Sequence, residues 1–145
     1  MRLELHALGG ADADLVWQRY QCPARWHEWA PQIRGVHLST PDGSRPALPT
    51  DLLRPGVTGT VRGPLGVPAG FLVQQVDEQP DATSTRRWSW QVRFGPVRLT
   101  LQHSVRPTSR GGTRTGLAIQ GPAPVVLGYV PVAQLALARL VRPEA

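Results

Sequence analysis

The chain has 145 residues and a formal net charge of +6, with 16 Arg, no Lys and 10 acidic residues; this length suits one domain with one hydrophobic core, which we assign to residues 1–145. Nucleic-acid binding is not expected, because the Arg residues are scattered along the chain rather than gathered into runs. We find neither a signal peptide nor a stretch of roughly 18 apolar residues, so we expect a cytoplasmic protein without membrane insertion.

The first part of the chain predicts a strand and two short helices. Residues 2–7 alternate between polar and apolar side chains, which indicates a strand. Asp12 is a favourable N-cap for a helix whose apolar residues recur at helical spacing. Pro23 suits the first turn of a second helix, and Pro31 ends that helix.

The rest of the chain predicts a series of strands and one final helix. The predicted strands are residues 33–40, 57–62, 69–77, 83–94, 97–106 and 113–120. A Pro-rich loop over residues 41–55 carries three leucines, which suggests a lid. Residues 125–142 match a long helix, with Pro131 in its first turns or at a kink. This order predicts an α+β fold rather than an alternating parallel α/β fold.

Two short groups of residues carry a family resemblance. The first group consists of Trp17, Tyr20, Arg25, Trp26, Trp29, Pro31 and Ile33. The second consists of His103, Val105, Gly112, Thr113, Arg114 and Gly121. Together they resemble the polyketide cyclase/dehydrase and lipid-transport group of the START-like (SRPBCC) superfamily.

The resemblance implies the helix-grip fold. In that fold a curved antiparallel sheet of about six to seven strands wraps on a long C-terminal helix, with two short helices after the first strand. The family also implies a deep cavity between the sheet and the long helix. Its members range over aromatase/cyclases, lipid and hormone binders and chaperone-associated domains, so the fold carries over better than the activity.

The alternation of strand side chains assigns a cavity lining. Trp88 and Trp90 share one face of their strand, and the next strand places His103 among apolar residues. The predicted ligand-binding residues are Val73, Gln75, Trp88, Trp90, Phe94, Leu101, His103, Thr115 and Ile119. Tyr129 is a further polar point. Such walls suit a hydrophobic or aromatic ligand held by a few hydrogen bonds.

His103 is the most informative polar residue, and two interpretations of it stay open. It is either a core residue whose ring bonds to neighbouring groups, or an acid–base group. With Tyr129 or Gln75 it could relay protons, which makes His103 and Tyr129 the catalytic candidates.

The sequence lacks the residues that several other kinds of site require. The absence of Lys excludes a Walker-type phosphate loop and a Schiff base. The four His residues do not have the spacing of metal ligands, and the single Cys22 has no second cysteine to pair with. We therefore expect no metal and no cofactor.

Three functions remain open for the predicted cavity. The favoured one is binding of a small hydrophobic or aromatic molecule by a monomer or homodimer. The alternatives are a polyketide cyclase, aromatase or dehydratase, and a non-catalytic interaction scaffold with a filled interior. An empty volume beside Trp88, Trp90 and His103 would favour a ligand, whereas side chains in that space would favour a scaffold.

Overall fold

Within residues 1–63 and 67–143, which this computed structural model describes, eight strands form one curved antiparallel sheet. The strands are β1 (Arg2–Gly9), β2 (Gly35–Thr40), β3 (Gly43–Pro46), β4 (Thr58–Arg62), β5 (Pro68–Asp77), β6 (Arg86–Phe94), β7 (Val97–Pro107) and β8 (Thr113–Gln120). Their order across the sheet is β1-β8-β7-β6-β5-β4-β2-β3. The strands from β4 to β8 therefore pair in chain order, as the sequence of hairpins predicts.

Two short helices follow β1. The first, α1 (Ala13–Gln21), begins at Asp12, whose carboxylate accepts a hydrogen bond of 2.9 Å from the backbone N–H of Leu15. A 3₁₀ helix (Pro23–Glu28) follows and begins with Pro23. Both starts agree with the capping signals in the sequence.

The long C-terminal helix, α2 (Ala123–Leu140), includes Pro131 in its interior and packs against β1 and β8. Its buried residues are Val126, Ala133, Ala136, Leu137 and Leu140. The sheet, the two short helices and α2 together form the helix-grip fold, so the predicted fold class is confirmed.

The strand β3 lies inside the segment predicted as a lid loop. Pro41 and Asp42 form a turn, after which Gly43 pairs with Thr40. Farther along, a salt bridge of 2.7 Å joins Arg45 to Asp51. Leu53 is buried, and its N–H donates to the carbonyl of Gln21 at 3.0 Å. The segment is thus fastened to the sheet and to the end of α1.

The strand β6 begins later than predicted because a tight turn precedes it. The Asp81 carboxylate accepts hydrogen bonds from the N–H groups of Thr83 and Thr85, at 2.8 and 3.1 Å. Ser84 between them has a φ of 62°. A residue in this left-handed conformation does not continue a strand, so pairing starts at Arg86.

The helix α2 corrects the expectation that no segment is apolar enough to span a membrane. By length and composition its window Ala123–Leu140 meets the criteria for a membrane span. Arg139 is the single charged residue in that window. A mostly buried core helix of a globular domain can meet the same criteria; in α2, 28% of the window is buried, on the side that packs on the sheet.

Gly9, at the end of β1, lies close to the backbone of Val141, directly after α2. A Cβ atom at Gly9 would lie 2.2 Å from the carbonyl oxygen of Val141, which already accepts a hydrogen bond from the N–H of Ala11. We expect Gly9→Ala to lower the free energy of unfolding by about 2 kcal/mol, because overpacking a tight site costs roughly 1–3 kcal/mol. Chemical denaturation measures the change.

The matched control is Gly35→Ala in β2, where an added Cβ would have no atom within 4 Å. It should change the free energy of unfolding by less than about 0.5 kcal/mol. Equal effects of the two substitutions would contradict the packing argument.

Candidate ligand-binding cavity

The central strands place their aromatic residues on the covered face of the sheet. Trp88 and Trp90 of β6 are 2% and 6% exposed, and His103 of β7 is 8% exposed. Trp88 pairs with His103 across the two strands, and Trp90 pairs with Leu101. These four side chains therefore lie side by side beneath the helices, on the faces that the alternation predicts.

Side chains from the two short helices fill the space around Trp88 and His103. The Tyr20 ring lies 5.4 Å from that of Trp88 and 4.9 Å from that of His103, between ring centroids. The Trp26 ring, from the 3₁₀ helix, stacks on Trp88 at 5.8 Å. Tyr20 and Trp26 are almost completely buried. We call this filled region the aromatic core.

Both ring nitrogens of His103 have partners in the aromatic core. The indole N–H of Trp90 donates to Nε2 at 3.1 Å, and Nδ1 lies 3.1 Å from the Tyr20 hydroxyl. Because Nε2 accepts a bond, a neutral ring carries its proton on Nδ1 and donates it to Tyr20. The ring also stacks on Trp88, with 4.3 Å between centroids and 8° between planes. His103 is thus a hydrogen-bonded core residue.

The surroundings of His103 keep its ring neutral. Burial lowers the pKa of His103 to about 3. A second proton would have to sit on Nε2, where it would face the N–H of Trp90. Burial also raises the pKa of Tyr20. Neither group changes its charge near neutral pH, which is where an acid–base catalyst needs to titrate.

An apolar cavity of about 380 Å³ remains open on the other side of Trp90. It lies between strands β4 to β7 and the first part of α2. This volume is near the lower end of the roughly 300–1,000 Å³ that is usual for small-molecule sites. None of its lining side chains, within the described residues, carries a charge.

The predicted lining residues divide into two groups. Trp90, Phe94, Leu101 and Tyr129 line the cavity. The predicted residues that are buried elsewhere in the core are Val73, Trp88, His103, Thr115 and Ile119. The physical reason for Trp88 and His103 is that Tyr20 and Trp26 occupy the space in front of them.

The prediction that Gln75 lines the cavity is wrong, because its side chain lies on the opposite face of the sheet. The register of β5 against β6 shifts between Val73 and Gln75, so that Gln75 pairs with Ser89 and Val76 pairs with Trp88. A bulge of one residue reverses the alternation of side chains beyond it. Gln75 is consequently exposed, and it lines a polar groove on the outer face together with Ser89.

Several lining residues were missing from the predicted set. Val92 and Leu99 share the inner faces of β6 and β7 with residues that were included, so the alternation could have identified them. Gln32 precedes β2, and Val125 and Gly128 lie on α2. No pattern within a single element shows that those three meet the sheet here.

The residues proposed for a proton relay are not brought together. Tyr129 lines the cavity, His103 lies in the aromatic core, and Gln75 lies on the outer face. The partner of Tyr129 is Gln32, whose side-chain N–H donates to the Tyr129 hydroxyl at 2.9 Å. Burial raises the pKa of Tyr129. Within residues 1–63 and 67–143, no three His, Cys, Asp or Glu side chains form a metal site.

Comparisons with known proteins support the fold. No model of a known protein family matches the chain, and no curated protein sequence matches it. Among solved structures it is similar to hypothetical protein jhp0584 from Helicobacter pylori, with a TM-score of 0.71, 14% identity and coverage of 97% of this chain and 84% of that one. It is also similar to ginseng major latex-like protein 151 from Panax ginseng. The TM-score is 0.66 at 11% identity, and the match covers 99% of this chain and 98% of that one.

A third similar structure is the di-domain ARO/CYC BexL from the BE-7585A biosynthetic pathway. Its TM-score is 0.69 at 16% identity, and the match covers 97% of this chain and 45% of BexL. At such identities these likenesses show the fold alone. They confirm the helix-grip fold that the START-like (SRPBCC) resemblance implies.

The neutral ring of His103 should make stability depend on pH. Because its pKa in the folded protein lies below the ordinary value of 6.5, the unfolded chain takes up the proton first. Stability is therefore complete above pH 6.5 and falls as the pH drops towards 3. We expect a loss of about 1 kcal/mol in the free energy of unfolding for each pH unit between pH 6 and 4.5.

His103→Gln provides the comparison, since an amide can accept from Trp90 but does not titrate. The variant should be less stable at pH 7 by about 1–3 kcal/mol, with a flatter dependence on pH between 6 and 4.5. The other histidines are present in both proteins, so the difference in slope reports His103. Identical slopes would show that the ring is not held neutral.

Proposed function

We propose that the protein binds a small, neutral, largely apolar molecule in the cavity beside Trp90. The observation that carries this proposal is an open apolar volume of about 380 Å³ beside Trp90. The space beside Trp88 and His103 is filled by Tyr20 and Trp26, which taken alone favours a scaffold. A space of this size could have been closed by larger residues at Ala69 or Gly128, which line it.

The chemistry of the walls supports a neutral ligand. Trp90, Phe94 and Leu101 offer ring and aliphatic surface, and no described lining side chain could pair with a charge. Burying an unpaired charge is very costly. A ligand that buries about 200 Å² of apolar surface would gain roughly 5 kcal/mol from that burial, which alone corresponds to a dissociation constant of about 0.2 mM.

A cyclase, aromatase or dehydratase is the alternative that the fold suggests, because BexL is an ARO/CYC protein of similar fold. The catalytic candidates give this alternative little support. His103 makes its hydrogen bonds inside the aromatic core, and Gln75 is on the outer face. Binding without chemistry is the function that the arrangement favours.

A substitution that fills the cavity should abolish binding. Val125 lines the cavity from α2, whereas Val132, two turns farther along and also half-buried, is not among the lining residues that the structure describes. We expect Val125→Trp to weaken binding of N-phenyl-1-naphthylamine, a neutral fluorescent probe, by at least about tenfold. The reason is that the larger indole would extend into the space that the probe occupies.

Val132→Trp is the matched control, and it should change the affinity by less than about threefold. Fluorescence titration of the probe gives both values, and thermal unfolding shows that both variants are folded. Failure of the unsubstituted protein to bind the probe, or equal loss in the two variants, would count against a ligand site in this cavity.

A further inference from the structure

We propose that the ligand carries one hydroxyl group, which Gln32 and Tyr129 bind at the polar end of the cavity. This inference rests on the proposed function and specifies the class of molecule: a neutral alcohol or phenol with an apolar body. It follows from the unused hydrogen-bonding capacity of two adjacent side chains.

Gln32 and Tyr129 form a pair with one free acceptor and one free donor. The Gln32 Nε2 group donates to the Tyr129 hydroxyl at 2.9 Å. The Gln32 Oε1 atom is buried and has no hydrogen-bond partner among the described residues. The Tyr129 hydroxyl accepts one bond and, in the same part of the chain, donates none. Leaving a buried amide oxygen unsatisfied is costly.

The third side chain with a polar atom in the cavity wall, Trp90, already makes a hydrogen bond. Among the side chains known to line the cavity, only Gln32, Tyr129 and Trp90 carry nitrogen or oxygen. The indole N–H of Trp90 donates to His103. Polar recognition of a ligand therefore falls to the pair formed by Gln32 and Tyr129.

A hydroxyl group is the simplest group that meets both requirements. Its oxygen accepts a hydrogen bond from the Tyr129 hydroxyl, and its own O–H donates a hydrogen bond to Gln32 Oε1. An ether or ketone can accept but cannot donate, and a carboxylate or ammonium would bring a charge that no lining side chain balances.

The two side chains also define an orientation. Gln32 lies in the turn before β2, and Tyr129 lies on α2, so the polar end of the ligand would bridge the helix and the start of the strand. The apolar body would then extend along Trp90 and Leu101. Because Gln32 and Tyr129 approach the ligand hydroxyl from different segments, they fix the position of that hydroxyl as well as requiring its chemistry.

Three probes of similar size test the inference: naphthalene, 2-methoxynaphthalene and 2-naphthol. The dissociation constants are measured by equilibrium dialysis for the unsubstituted protein, Tyr129→Phe and Gln32→Met. We expect 2-naphthol to bind about tenfold more tightly than 2-methoxynaphthalene to the unsubstituted protein. Each variant should reduce that ratio to about threefold or less, because each removes one of the two bonds.

Naphthalene is the internal control, since it makes no hydrogen bond. Its affinity should change by less than about threefold in both variants, which also shows that their cavities are intact. If naphthalene binds but the ratio of 2-naphthol to 2-methoxynaphthalene is the same in all three proteins, the hydroxyl inference is wrong and the proposed function stands. If none of the three probes binds, the proposed function itself fails.

Discussion

The hydrogen bond from Trp90 to His103 is the interaction on which the interior of this protein depends. It joins neighbouring strands through their side chains, and the second nitrogen of the same ring reaches Tyr20 on α1. The chain of Trp90, His103 and Tyr20 therefore fixes a helix against the sheet. It also fixes the orientation of the indole that forms a wall of the cavity. Buried polar groups that are satisfied in this way specify one arrangement of a core.

This chain of hydrogen bonds divides the space under the sheet into two regions with different properties. On the side of Tyr20 and Trp26, aromatic rings leave no room for a ligand. On the side of Phe94 and Leu101, small residues of β5 and α2 leave an opening. A scaffold would fill both regions, and a carrier of large ligands would open both. The observed division agrees with the proposed function, because it leaves one apolar volume of about 380 Å³ beside Trp90.

The sequence predicts the fold well because most of its signals are local. Alternation identifies the inner faces of β6 and β7, and Asp12 and Pro23 mark the helix starts. The lining of the cavity is harder to predict, since it depends on which side chains from distant segments meet the same face. Tyr20 covers His103, and Gln32 meets Tyr129, although 83 and 97 residues separate these pairs. One inserted residue in β5 was enough to place Gln75 on the wrong face.

The filled region also limits how the volume of the cavity could change during evolution. A shorter side chain in place of Tyr20 would enlarge the interior, but it would leave Nδ1 of His103 without its partner and loosen α1. Gly128 and Ala69, in contrast, can accept larger side chains at the open side. Selection can thus reduce the capacity of the cavity by single steps, whereas an increase requires several coordinated changes. A smaller cavity is the accessible direction.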